Sequence, residues 1–157
     1  EKELPFITLQ QGLPPTSDLE ALANKKTCNL VCLDDLMESV TTSSEMENLF
    51  VKGMHHRHLS IIFLNQNMYC QGKHSRTINL NTHILVLMKN PRDLSQIQCL
   101  TRQAFMGKSK FLLEAFKDAT SQSYGYLILD FSPTGHEAHR VRTRVFPGED
   151  TIIYQAV

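Results

Sequence analysis

The 157-residue sequence predicts a three-layer α/β fold, in which helices cover both faces of a mainly parallel sheet. Three short runs are apolar almost throughout, which is typical of strands covered on both faces: 29–33, 59–64 and 84–88. Helical patterns separate these runs, and the alternation of strand and helix favours parallel pairing. Because the length suits one ordinary domain, we expect residues 1–157 to form a single domain.

The first third of the chain predicts one further strand and two helices. Pro5–Leu9 has the composition of a short strand. Ser17 and Glu20 have the spacing of a capping box, which predicts that a helix begins there. A second capping box starts at Ser44, and Gly53 suits the end of that helix because glycine readily adopts the left-handed conformation there.

The C-terminal half predicts two more helices, a strand and a hairpin. Asn90 suits a helix N-cap, with Pro91 at the first helical position, where its missing N–H costs nothing. Ser109 is predicted to begin the next helix. A strand at 126–131 and an antiparallel hairpin over 141–154 complete the predicted elements.

Composition and charge exclude several classes of protein. Sixteen Lys+Arg residues balance sixteen Asp+Glu residues, which argues against a protein that coats nucleic acid through overall basicity. Hydrophobic residues make up 41% of the sequence, which is enough for a packed core. No apolar run approaches the roughly 20 residues that span a bilayer. Glu1–Glu3 also lacks the basic start of a signal peptide, so no membrane association is expected.

The four cysteines suit a reducing, intracellular compartment. Cys28 and Cys32 are expected to be buried, since a free cysteine packs like a small hydrophobic side chain. The alternative role for cysteine in this chain is metal binding, in a zinc site built around Cys70 and His74.

Two adjacent carboxylates, Asp34 and Asp35, follow the first apolar strand. In parallel sheets, ligands bind beyond the carboxyl ends of the strands. One carboxylate can hold Mg²⁺ through its water shell, while the other orients or deprotonates an attacking water. The alternative is that the pair only caps the following helix.

Polar side chains also surround the second apolar strand. Asn65 and Gln66 follow it, and an amide at this position can reach a γ-phosphate or an attacking water. Arg57 precedes the strand, so its guanidinium suits a phosphate bound to a neighbouring subunit. The alternative for Arg57 and its three histidine neighbours is a solvated turn.

Three arginines near the C-terminus, Arg140, Arg142 and Arg144, are spaced two residues apart. In a strand, this period places them on one face. Such a face can contact DNA phosphates or a neighbouring subunit. The alternative is an ordinary solvated face.

Several stretches resemble the FtsK–HerA superfamily of P-loop ATPases, and within it the genome-packaging ATPases of DNA viruses and Polinton-like transposons. The similar stretches follow the order of that family: 29–37, 52–69, 78–93, 107–120, 124–131 and 142–150. The resemblance implies a RecA-like core, ATP and Mg²⁺ as cofactors, and movement of double-stranded DNA through a homo-oligomeric ring. Viral capsid components would be further partners, and the virion, the host nucleus and the host cytoplasm would be the alternative locations.

The resemblance also implies roles for individual residues. Asp34 would be the Walker B aspartate, which binds Mg²⁺ through water. Asp35 would stand where most relatives carry a catalytic Glu, and Gln66 would sense the γ-phosphate. Arg57 would act as an arginine finger in the site of a neighbouring subunit.

One part that this family requires is missing from the sequence, namely the phosphate-binding loop G-x-x-x-x-G-K-S/T. Gly107–Ser109 matches only its end, because Arg102 stands where its first glycine should be. That triplet also lies after the Asp34 segment, whereas the family places the loop before it. We therefore expect either the C-terminal portion of a packaging ATPase, without the first strand, loop and helix, or a non-catalytic remnant for DNA binding or assembly.

Overall fold

The computed structural model describes residues 6–23, 27–53, 59–69, 71–92 and 94–156. The chain divides into two compact units, Glu1–Asn81 and Thr82–Val157, and each is described by itself. The single domain over residues 1–157 stays a prediction. The mixed α/β class is confirmed, because both units combine helices with strands.

Unit 1 is built around two parallel strands. Its elements in chain order are α1 (Thr16–Ala23), β1 (Asn29–Leu33), α2 (Met37–Thr42), α3 (Ser44–Asn48), a π-helical turn (Leu49–Gly53), β2 (Leu59–Phe63) and α4 (Ser75–Leu80). The strands pair from Asn29 opposite Leu59 to Leu33 opposite Phe63. The helices pack apolar side chains against one face of this pair, with Leu33, Val40 and Ile78 almost fully buried.

The other face of the β1–β2 pair is exposed within unit 1. Leu30 is 63% exposed, and Ile62 and Cys32 are exposed beside each other on the two strands. The prediction that these strands are covered on both faces is therefore wrong for unit 1. An unbroken apolar run does not by itself decide whether a second layer is present.

Unit 2 contains a four-stranded antiparallel sheet. Its elements are β3 (Ile84–Met88), α5 (Ser95–Ala104), α6 (Ser109–Ala119), β4 (Tyr126–Asp130), a 3₁₀ turn (Glu137–His139), β5 (Val141–Thr143) and β6 (Ile152–Ile153). The strand order is β3-β4-β5-β6, and all three pairings are antiparallel. Among the described residues, the mainly parallel sheet is therefore a wrong prediction, whereas the C-terminal hairpin is confirmed. Cover on both faces is wrong for β3 as well, because Ile84, Val86 and Met88 are exposed on one of its faces. Two helices connect β3 to β4, and a connection of that length permits either strand direction.

Several predicted boundaries shift for local reasons. Residues 6–10 form no strand. Ser43, rather than Ser44, caps α3 by accepting a hydrogen bond from the Met46 N–H at 3.2 Å. Asn90 does not cap a helix, because its side-chain oxygen accepts the Arg92 N–H at 3.1 Å in a local turn, and α5 begins only at Ser95.

Candidate functional site at the ends of β1 and β2

The carboxyl ends of β1 and β2 lie side by side. Leu33 pairs with Phe63, and one residue further the Leu64 N–H donates to the Leu33 carbonyl at 2.9 Å. Asp34 and Asp35 leave the sheet at this edge, and the segment that holds Gln66 leaves from the neighbouring strand. Parallel pairing thus brings two of the polar segments singled out in the sequence to one edge.

Both carboxylates at this edge point away from the protein core. Asp34 and Asp35 are exposed, and neither side chain hydrogen-bonds another described residue. The N-cap of α2 is Leu36, and no side chain caps that helix. The alternative role as a helix cap therefore does not apply to these two residues.

Asp35 has a left-handed backbone, with φ at +54°. This conformation costs an L-residue about 1 kcal/mol, although Asp tolerates it better than most. The turn separates the end of β1 from the start of α2, and it places the two carboxylates in succession at the sheet edge. Strain of this kind clusters at binding and catalytic sites.

The segment after β2 is shaped by its asparagines. The Asn65 side-chain oxygen accepts the Asn67 N–H, and the Asn67 oxygen accepts the Tyr69 N–H, both at 2.9 Å. Gln66 lies between them, is exposed, and forms no side-chain hydrogen bond with another described residue. Asn65 therefore serves the turn, and the Gln66 amide is available to a ligand.

The helices behind this edge are joined by a close polar contact that the sequence did not reveal. The His74 N–H donates to the Thr41 carbonyl at 2.8 Å, which ties α4 to the end of α2. The His74 Nδ1 atom lies 2.6 Å from a Glu47 carboxylate oxygen. Gly72 passes so close to Thr41 that a β carbon there would clash with it. These contacts fix α2, which begins directly after the strained Asp35 turn.

Arg57, the predicted trans-acting arginine, lies outside the described residues, as do the neighbouring His55, His56 and His58. Its role stays a prediction. Cys70, from the alternative zinc site, also lies outside them. No group of three or more possible metal-binding side chains occurs among the residues that the structure describes.

The three arginines of the C-terminal region do not share a strand face. Only Arg142 lies within β5, while Arg140 precedes the strand and Arg144 follows it with φ at +55°. Arg140 binds the Glu137 carboxylate at 2.8 Å and the Asp130 carbonyl at 3.2 Å. The expected three-arginine face is therefore wrong, because β5 is too short to carry it.

Arg142 is committed to an internal ion pair with Asp130. The closest nitrogen–oxygen distance is 2.9 Å, and the Asp130 side chain is only 13% exposed. Asp130 also accepts hydrogen bonds from the Ser132 N–H and hydroxyl. Burial alone raises the pKa of Asp130, but the hydrogen bonds from Ser132 and Arg142 and the Arg142 charge together outweigh it, so the pKa is lowered.

Arg144 differs from the other two arginines. It is exposed, and it forms no hydrogen bond or ion pair with another described residue. Of the three nucleic-acid candidates, Arg144 is therefore the one whose guanidinium is free to contact a phosphate within the part of the chain that the structure describes.

The three cysteines among the described residues are not core residues. Cys28 and Cys32 are exposed and Cys99 is half-buried, so the predicted burial of the first two is wrong. The reason is that Cys32 lies on the uncovered face of β1.

None of the helices within the described residues is long and apolar enough to cross a membrane.

Comparison of the chain with models of known families, with curated proteins and with solved structures yields no match.

Proposed function

We propose that unit 1 carries the Mg²⁺- and water-handling half of a nucleotide-hydrolysis site, in the ATPase portion of a motor that moves double-stranded DNA. The motor would be of the viral or virus-derived packaging type, with a RecA-like core and a ring of identical subunits. Its partners would be double-stranded DNA and viral capsid components. The resemblance in sequence motivates this class, and the strand-end geometry supports it.

One observation carries the proposal. Asp34 and Asp35 leave β1 at the same sheet edge at which the Gln66 segment leaves β2, and the two aspartates are not used as helix caps. Exposed carboxylates with no hydrogen-bonding partner among the described residues are suited to hold a hydrated cation and to orient a water. Asp34 would hold Mg²⁺ through water, Asp35 would orient the attacking water, and Gln66 would contact the γ-phosphate.

The residues present fit the two cofactors unequally. The two carboxylates supply the hard oxygen ligands that Mg²⁺ prefers, with water completing its coordination. The phosphates of ATP need a cradle of backbone N–H groups, and the sequence has no G-x-x-x-x-G-K-S/T loop. ATP binding therefore depends on a phosphate-binding segment supplied from outside these 157 residues.

The test is ATP hydrolysis by the encoded protein, including any residues that precede Glu1. We expect Mg²⁺-dependent turnover, and we expect Asp35→Asn to lower kcat by about 10²- to 10⁴-fold, the usual contribution of a positioned base. Nucleotide binding should persist in this variant. Asp18→Asn, which removes an exposed carboxylate from the first turn of α1, is the matched control and should keep full activity.

A second candidate function is a non-catalytic domain for DNA binding or assembly. The lack of a phosphate-binding loop favours it, as does the free guanidinium of Arg144. This alternative predicts no ATP binding by the encoded protein. It also predicts DNA affinity that falls with salt and falls further in Arg144→Gln, whereas Arg140→Gln and Arg142→Gln should act mainly through stability.

A further inference from the structure

The turn between α6 and β4 presents an aromatic ring to solvent at a conformational cost. Tyr124 is 93% exposed and has a left-handed backbone, with φ at +61°. For a bulky residue this φ is a genuine outlier. An exposed ring contributes little to the core, so stability does not explain a tyrosine here. A strained, exposed residue of this kind points to a binding role.

The turn that holds Tyr124 is firmly anchored. The Ser121 N–H donates to the Asp118 carbonyl at 3.1 Å, and the Gly125 N–H donates to the Gln122 carbonyl at the same distance. Gly125 lies so close to the Ala119 carbonyl that a β carbon would clash with it. The Tyr124 ring thus extends from a turn that hydrogen bonds hold in place at the end of α6.

A hollow lies on each side of this turn, and a cation lines each one. Lys89 lines the first, of about 380 Å³, and Arg144 lines the second, of about 290 Å³. Lys89 and Arg144 are both exposed, and neither side chain forms a hydrogen bond or ion pair with another described residue. Two uncommitted positive charges therefore flank the exposed ring.

The carboxylates near the second hollow are already engaged. Asp118 accepts a hydrogen bond from the Tyr154 hydroxyl at 2.6 Å. Glu149 accepts one from the Phe146 N–H at 3.2 Å and one from the Tyr126 hydroxyl at 3.3 Å. These hydrogen bonds occupy carboxylate oxygens but leave the negative charges in place, so in the second hollow an anionic group can be held only through Arg144. Lys89 is the only charged residue among those that line the first hollow, which therefore favours an anionic group.

We propose that Tyr124, Lys89 and Arg144 form a site for single-stranded nucleic acid. The ring would stack on an unpaired base, and the two cations would contact phosphates on either side of it. A paired duplex keeps its bases stacked inside, so it offers this ring no free base face. The site lies wholly in unit 2 and uses none of the strand-end residues, so it does not depend on ATP hydrolysis.

The test measures binding of the intact protein to a fluorescent oligo-dT strand of about 20 nucleotides by anisotropy, with oligo-rU and a duplex of equal length in parallel arms. We expect the single strand to bind more tightly than the duplex. Tyr124→Gly should weaken single-strand binding about tenfold, the lower part of the range for loss of one stacked base. Because glycine tolerates a positive φ, this variant should keep its thermal midpoint or raise it slightly.

The cations give a second readout. Lys89→Gln and Arg144→Gln should each weaken binding and flatten the slope of log affinity against log salt by about 0.7. Lys110→Gln removes an exposed charge from the start of α6, away from both hollows, and should leave binding unchanged.

Each outcome decides the proposal. Binding of oligo-dT, oligo-rU or both, with the expected losses, supports it, and the ratio of the two affinities shows whether the site prefers DNA or RNA. Absence of single-strand binding, equal affinity for the duplex, or unchanged affinity in Tyr124→Gly would overturn it. An equal loss in Lys110→Gln would likewise overturn it.

Discussion

The two units cover their central strands differently. In unit 2, Leu127, Ile128 and Leu129 of β4 are all buried, so side chains on both faces of this strand are covered. In unit 1, burial alternates along β1, and Leu30 remains exposed on its open face. Similar apolar runs therefore support two different arrangements, and among the described residues of unit 1 no second layer covers the open face of β1.

The units also differ in charge. Residues 82–157 contain nine Lys+Arg and seven Asp+Glu, a formal net charge of +2, while residues 1–81 contain seven and nine, a net charge of −2. The neutral total hides this separation. It matches the assignment of carboxylate chemistry to unit 1 and phosphate contacts to unit 2.

The largest expected effect on stability comes from a matched pair of leucine substitutions, which tests the difference in strand burial. Leu129→Ala removes a side chain that is 0% exposed and should cost about 3 kcal/mol of unfolding free energy, because it leaves a cavity. Leu30→Ala makes the same change on the open face of β1 and should cost under about 0.5 kcal/mol. Urea unfolding measures both values. Equal losses would show that the face around Leu30 is covered.

Loss of the ion pair between Asp130 and Arg142 at the end of β4 should lower the free energy of unfolding by a smaller amount. Asp130→Ala should cost about 2 kcal/mol, because Arg142 and two Ser132 donors lose their acceptor in a largely buried position. Asp150→Ala, at an exposed acid in the same unit, is the control and should be nearly neutral. Urea unfolding of both variants checks this, and a neutral Asp130→Ala would contradict the proposed anchoring.

The same carboxylate makes stability depend on pH. Its pKa is lower in the folded state than the ordinary value of 3.8, so its contribution is complete above that value. It is then lost as the pH falls from about 4 through the folded-state pKa. Asp130→Asn should flatten the acid limb of a plot of stability against pH. A limb that stays as steep as in the wild type would assign the acid sensitivity to other groups.

The smallest effects concern the strained residue at each proposed site. Tyr124→Gly should stabilise unit 2 by about 0.5 kcal/mol, since relief of strain slightly exceeds the added chain entropy. Asp35→Gly should be closer to neutral, because Asp tolerates the left-handed region better than Tyr. Thermal unfolding compares the two, and marked destabilisation by either would show that the native side chain packs.

The sequence predicts where the strands lie better than it predicts the direction of their pairing or which of their faces are covered. Strand β3 occurs at the predicted residues 84–88, because local apolar pattern and turn residues define a strand. That β3 and β4 run antiparallel follows from tertiary packing across two helices, which no local pattern encodes. The same holds for the open face of β1.

The sequence also predicts part of the candidate site at the strand ends. Asp34, Asp35 and Gln66 were identified because polar residues directly follow apolar strands, and parallel pairing brings those strand ends together. The strain at Tyr124 and the Asp130–Arg142 ion pair were missed, since both depend on backbone geometry and on pairing between distant residues. Opposite charges twelve residues apart gave no distinctive signal.

The most direct test of the central claim is the rate of Mg²⁺-dependent ATP hydrolysis by the encoded protein carrying Asp35→Asn, measured beside Asp18→Asn. The account predicts that turnover falls by at least about 10²-fold in Asp35→Asn alone, with nucleotide binding retained. Undiminished hydrolysis in Asp35→Asn would contradict the assignment of the strand-end carboxylates.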